Sequence, residues 1–121
     1  MSTAAEMMRG GRSAGGARAV NGEVNSAVSA AGTTLATATA IVASHSIVTT
    51  VGADSGVVLP NTMIGDEYLV YNGTGTNPLT VYPPTSSATI NQLGAGVGAI
   101  LAPYTACKYK KTTATTWHAW M

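Results

Sequence analysis

The stretch from Leu59 to Pro84, LPNTMIGDEYLVYNGTGTNPLTVYPP, constrains the fold more than any other part of the chain. Residues 66–72 alternate, with Tyr68, Val70 and Asn72 on one side and Glu67, Leu69 and Tyr71 on the other. That period of two belongs to a strand. Gly73-Thr74-Gly75-Thr76-Asn77-Pro78 is turn material, because glycine tolerates positive φ and proline fixes its own. Leu79 to Tyr82 reads as the returning strand. Pro83-Pro84 ends it, since proline cannot donate to a ladder. The expectation is a hairpin whose tyrosines and valines build a core and whose Gly65-Asp66 corner is capped by the aspartate.

The rest of the chain repeats this grammar. Residues 35–42 alternate Leu35, Thr37, Thr39 and Ile41 against Ala36, Ala38, Ala40 and Val42. Ser44-His45-Ser46 interrupts, with His45 read as a polar turn or strand-edge residue, and residues 47–51 continue the strand. Further strands are predicted over 56–60, 88–91, 99–102, 104–111 and 112–120, with Met63 and Ile64 plugging one end of the core from the loop between. In 104–111, Cys107 shares a face with Tyr109 and reads as a buried structural thiol, while the lysines read as guards on a terminal strand. Trp117 and His118 point oppositely, and of Trp117 and Trp120 one is expected in the core and the other at an interface. About eight short strands with Gly/Pro punctuation, and no helices to cover a parallel sheet, predict an all-β fold. The expected form is a small antiparallel β-sandwich or jelly-roll-like barrel.

Residues 1–34 differ in kind, being Ala, Gly, Ser and three arginines with little that is large and apolar. Short helical turns are predicted over 3–9, capped by Ser2 or Thr3, and over 23–31, where Val24 and Val28 share a helix face. Both are too short to stand alone. The division is therefore an extended N-terminal arm, 1–34, and a β-sandwich body, 35–121. Arg9, Arg12 and Arg18 against Glu6 and Glu23 suit contact with an acidic protein surface. Three spaced arginines without aromatic interleaving are a weak nucleic-acid signal.

Nothing in the sequence is arranged for catalysis. Asp66 and Glu67 are neighbours on a strand, so they point to opposite faces and cannot act as a general acid/base couple. Ser44, His45 and Asp54 supply the residue types of a triad, but no nucleophile elbow orders them. The glycines of 94–98 lack the helix and lysine of a phosphate loop. One cysteine excludes an intrachain disulfide and a cysteine metal cluster. No apolar run is long enough to span a membrane. The N-terminus lacks the apolar segment of a secretion signal, which predicts folding in a reducing cytoplasm. No enzyme activity and no cofactor are expected. Only six basic and five acidic residues occur in 121, far below the usual charged share of soluble domains. Such a surface is expected to be used in contacts with other chains.

From Gly65 to Trp120 the chain resembles a family of tailed-phage virion modules. The residues that carry the likeness are Gly65-Asp66-Glu67-Tyr68-Leu69-Val70-Tyr71-Asn72, Leu79-Thr80-Val81-Tyr82-Pro83, Ile90-Asn91 and Thr113-Ala114-Thr115-Thr116-Trp117, preceded by Val57-Val58-Leu59-Pro60. They cover about half the chain. The resemblance implies a capsid decoration (cement) protein, a trimer-forming β-module on the outside of a virion assembled in a bacterial cytoplasm. Its implied partners are its own copies, as homotrimer or dimer, and the phage major capsid protein. Arg9, Arg12 and Arg18 are expected at the capsid or subunit interface, with Trp120, Met121 and the apolar sheet faces on the self-association surface. The alternative is a head- or tail-fibre module whose tyrosines form a platform for host-surface glycan.

Overall fold

A computed structural model describes residues 23–121. They form ten strands and no helix: β1 Val24–Ser29, β2 Thr39–Ala40, β3 His45–Thr50, β4 Gly56–Val58, β5 Glu67–Asn72, β6 Leu79–Tyr82, β7 Thr89–Ile90, β8 Ala99–Leu101, β9 Ala106–Lys111 and β10 Thr116–Trp120. The fold is all-β, as the sequence predicts. A six-stranded sheet runs β1-β3-β5-β9-β10-β7 and a four-stranded sheet runs β2-β4-β6-β8.

The pairing departs from the antiparallel expectation. β1, β3 and β5 are parallel neighbours, and so are β2, β4 and β6. From β1 to β8 the chain alternates between the sheets. Each parallel crossover therefore passes through a strand of the opposite sheet, which takes the place usually held by a helix. Val24 pairs with His45 and His45 with Leu69, so each circuit brings the chain back one strand further along. The sheets thus stack in the manner of a β-solenoid. Antiparallel β8 on β6, β9 on β5 and β10 on β9 close one end of the stack.

The stretch around Gly73 is consequently not a hairpin. β5 and β6 lie in different sheets, and residues 73–78 arch from one to the other. Asn72, at the foot of the arch, is fully buried. Its Nδ2 donates to the carbonyls of Asn77 (3.0 Å) and Leu101 (3.2 Å), and its Oδ1 accepts from the backbone N (3.1 Å) and Oγ1 (2.9 Å) of Thr74. Asn77 Nδ2 donates to Val51 O at 2.9 Å and ties the arch to the preceding circuit. Gly73 has no room for a side chain, because a Cβ there would lie 2.9 Å from Val48 O.

Residues 24–29, read above as a helical turn of the arm, are strand β1 of the body. Valine and asparagine are weak helix formers, and pairing with β3 outweighs a single turn. An irregularity between Asn25 and Val28 turns Val24 outward and Val28 inward. The predicted helix over 3–9 lies outside the described residues. The strand expected over 35–42 shrinks to Thr39–Ala40. Before it, Thr37 and Ala38 donate their backbone N–H to Thr34 O, and the hydroxyls of Thr34 and Thr37 lie 2.8 Å apart. Local threonine bonding of this kind competes with strand pairing.

A single core lies between the sheets, with Val48, Tyr68, Val70, Tyr109 and Trp117 from one side and Val57, Leu79, Val81 and Leu101 from the other. Met63 and Ile64 do not plug it, being 77 % and 62 % exposed. They sit at the tip of a turn held by Asp66 N donating to Met63 O (3.1 Å) and Gly65 N to Lys111 O (2.7 Å). Asp66 caps this turn as expected, its Oδ2 accepting from Met63 N at 3.3 Å, and Gly65 has φ +100°.

Candidate interaction surface

The alternation that buries one side of β3, β5, β9 and β10 turns the other side to solvent. Register sets these outward residues in rows across the six-stranded sheet. One row runs Val24, His45, Leu69, Lys108, Trp120. A second runs Ile47, Tyr71, Ala106 and a third Glu67, Lys110, His118. Five strands at the usual spacing make the first row about 19 Å long. Its ends are open: Val24 is 54 % exposed and Trp120 45 %.

Lys108 Nζ sits 5.9 Å from the centre of the Trp120 ring, where the ammonium meets the π face while its stem covers apolar surface. Glu67 is shared by Lys108 (3.7 Å) and Lys110 (3.6 Å). These are exposed pairs, each contributing about 0–1 kcal/mol, so they leave the groups free to exchange partners. The lysines do not guard a terminal strand, because β9 lies inside the sheet between β5 and β10. Lys111 is buried, its Nζ donating to Thr62 O (2.6 Å) and Asn61 Oδ1 (3.3 Å) and pinning the 61–66 loop to the end of β9.

Of the residues singled out from sequence, Trp120 stands on this face and Met121, 79 % exposed, follows it. Arg9, Arg12 and Arg18 lie outside the described residues. Trp117 is the core tryptophan, fully buried. Sequence reasoning did not single out Ile47, Leu69, Tyr71, Lys108, Lys110 or His118 as one surface. Their signal is the polar-side phase of the same alternation that marks the core.

The described residues bring no three His, Cys, Asp or Glu side chains together to hold a metal ion. Among them no helix is long and apolar enough to cross a membrane. Cys107 is a free, buried thiol, donating to Trp120 O at 3.5 Å. Burial pushes its pKa up, and it does the same to Tyr68 and, far more, to Tyr109. Raised values mean that the fold favours the protonated forms. Their contribution is fully present below the unfolded values, about 8.5 for cysteine and 10 for tyrosine, and is lost as pH rises beyond them. Urea midpoints are therefore expected to hold level from pH 6 to 8 and to fall above about pH 9. Cys107 is expected to react with a thiol reagent only slowly until the chain is unfolded. A midpoint that rose with alkali, or rapid native labelling, would contradict this burial.

No protein family, curated protein or solved structure matches the chain.

Proposed function

We propose that the chain is a structural virion protein that binds the outside of a phage capsid as a decoration protein and strengthens contacts between capsomers. The observation that carries this reading is the outer face of the six-stranded sheet, where half-buried Ile47, Leu69 and Tyr71 and the more exposed Trp120 lie in cross-strand rows. The resemblance of residues 65–120 to phage virion modules and the scarcity of charge support it. In this reading the two sheets are the walls of a small sandwich body, and copies assemble as a homotrimer, or a dimer. Trp120 and Met121 stand at the capsid or subunit interface. Arg9, Arg12 and Arg18 tie the arm to a neighbour, and β1 belongs to the body, so the arm is the segment before it. A specific attachment buries about 1,000 Å² or more, and closed symmetry multiplies several weak attachments into firm binding.

Co-sedimentation with purified capsids of the phage that carries the chain tests this. The chain is expected to bind to saturation at a fixed number of copies per shell and to raise the shell's resistance to heat. Free chain left in the supernatant at micromolar concentration would sink the reading. A chain lacking residues 1–22 is expected to bind with reduced occupancy, and full occupancy would remove the arm from the account.

The second reading, a fibre module binding host-surface glycan, is favoured by Tyr104. The residue is 66 % exposed, its ring packs against Gly75, and its backbone is held at φ +57° by its N–H donating to Asn72 O and Thr74 O. That reading predicts binding to host cells and none to capsids.

A further inference from the structure

The basic side chains of the described residues are not spread over the molecule. Apart from buried Lys111 they are Lys108 and Lys110, and both project from the outer face of the six-stranded sheet. Both histidines, His45 and His118, project from that same face. The acids are dispersed, with Glu23 ahead of β1, Asp54 in the corner after β3 and Asp66 in the turn before β5. Of the acids among the described residues, only Glu67 stands on the face, and it is shared between the two lysines. One carboxylate against two ammonium groups leaves the face net positive. The positive side adjoins an apolar side made by Val24, Ile47, Leu69 and Tyr71, and Trp120 lies under Lys108.

We propose that this face docks on a protein surface that is acidic and apolar together, and that the surface belongs to a different chain. Carboxylates opposite Lys108 and Lys110 complement the charge, setting partner choice and association rate, while the aliphatic and aromatic side chains supply buried area. A second copy fits poorly. Face-to-face pairing would bring four ammonium groups together with two carboxylates, and like charges held across an interface oppose association. Nucleic acid fits poorly as well. Two exposed cations across about 19 Å are sparse against a duplex that carries a charge about every 1.7 Å. The inference rests on the capsid reading only for which chain carries the acidic surface.

Two arms separate the claims. In the first, a displayed random-peptide library is selected against the full chain. Binders are expected to be rich in Asp and Glu interspersed with Leu, Phe or Trp. Their affinity is expected to fall about tenfold or more on the double change Lys108→Glu/Lys110→Glu, and to fall with added salt. Binding is expected to shift Trp120 emission to the blue, an effect absent in Trp120→Phe, since buried Trp117 already lacks solvent contact. The charge-reversed protein must keep its circular dichroism and melting temperature; if it does not, Lys108→Gln/Lys110→Gln replaces it. Binders without acids, binders indifferent to the lysines, or no binders at all overturn the proposal. So does a free chain whose Trp120 is already buried in a homo-oligomer, because the occupant is then a second copy. In the second arm, capsids are sedimented with wild-type and charge-reversed chain. Acidic peptide binders with no capsid binding overturn the capsid reading and leave the docking chemistry standing. Capsid binding that ignores the lysines overturns the docking chemistry and leaves the capsid reading.

Discussion

Replacing Trp117 with alanine is expected to destabilise the fold by about 3–5 kcal/mol. The side chain is fully buried near the closed end of the stack, on β10 between β9 and the edge strand β7. Its ring lies 6.1 Å from that of Tyr68 at 47°, a tilted contact that adds to the area buried. Ile90, paired directly with it and fully buried, loses its neighbour when the indole goes. A cavity of that size is not closed by small shifts in a two-sheet core. Against a total of about 5–15 kcal/mol for a small domain, the loss brings the chain near unfolding at 37 °C.

Phenylalanine at the same position is expected to behave differently. Trp117 Nε1 is buried with no hydrogen-bond partner among the described residues. A desolvated donor of this kind costs about 1–3 kcal/mol, and phenylalanine removes it. Trp117→Phe should therefore cost about 1–2 kcal/mol, since the lost packing is partly offset by the lost unpaired N–H. Urea unfolding followed by far-UV circular dichroism distinguishes the two variants. If phenylalanine costs as much as alanine, the indole N–H has a partner, such as a buried water.

The inward phase of the strands is legible in the sequence because alternation is local. Tyr68, Val70 and Asn72 share the buried side of β5, and Cys107, Tyr109 and Lys111 that of β9, as their spacing predicts. Strand partners are another matter. A period of two is the same in parallel and antiparallel ladders, so the pattern that marks β5 and β6 does not distinguish a hairpin from an arch. The rule that parallel strands need helical crossovers misleads here, because the opposite sheet serves instead. The candidate surface follows suit. Leu69, Lys108 and Trp120 are each readable as outward, but their meeting in one row depends on β5, β9 and β10 being neighbours. Lys111 shows the same limit in one residue. Its position on the buried face is readable, whereas the Thr62 carbonyl that makes burial tolerable is contributed from 49 residues away.

Asn72 is where the arch differs most from a hairpin turn, and Asn72→Ala is expected to cost about 3–5 kcal/mol. Its carboxamide uses both donors and both acceptor positions inside the protein. Alanine leaves the Thr74 N–H and the carbonyls of Asn77 and Leu101 without those partners, and no shape-matched group replaces them. Each such buried group costs about 1–3 kcal/mol, with part recovered by entering water. Asn72→Asp keeps the shape and isolates the hydrogen-bonding cause. A carboxylate still accepts from Thr74 but faces the carbonyls of Asn77 and Leu101 with oxygen instead of N–H, so at neutral pH it should cost at least as much as alanine. Burial and those carbonyls hold such a carboxyl above its unfolded value of about 4. The protonated form is then favoured by folding, and its stability is lost as pH rises through the folded value. Lowering the pH toward about 4 should therefore narrow the gap between Asn72→Asp and wild type, because protonation restores one donor. Asn72→Ala should show no such pH-dependent narrowing. A loss in Asn72→Ala with little or none in the isosteric Asn72→Asp at neutral pH would mean that Asn72 acts through its volume, and the arch would then be held by Gly73 and Asn77 instead.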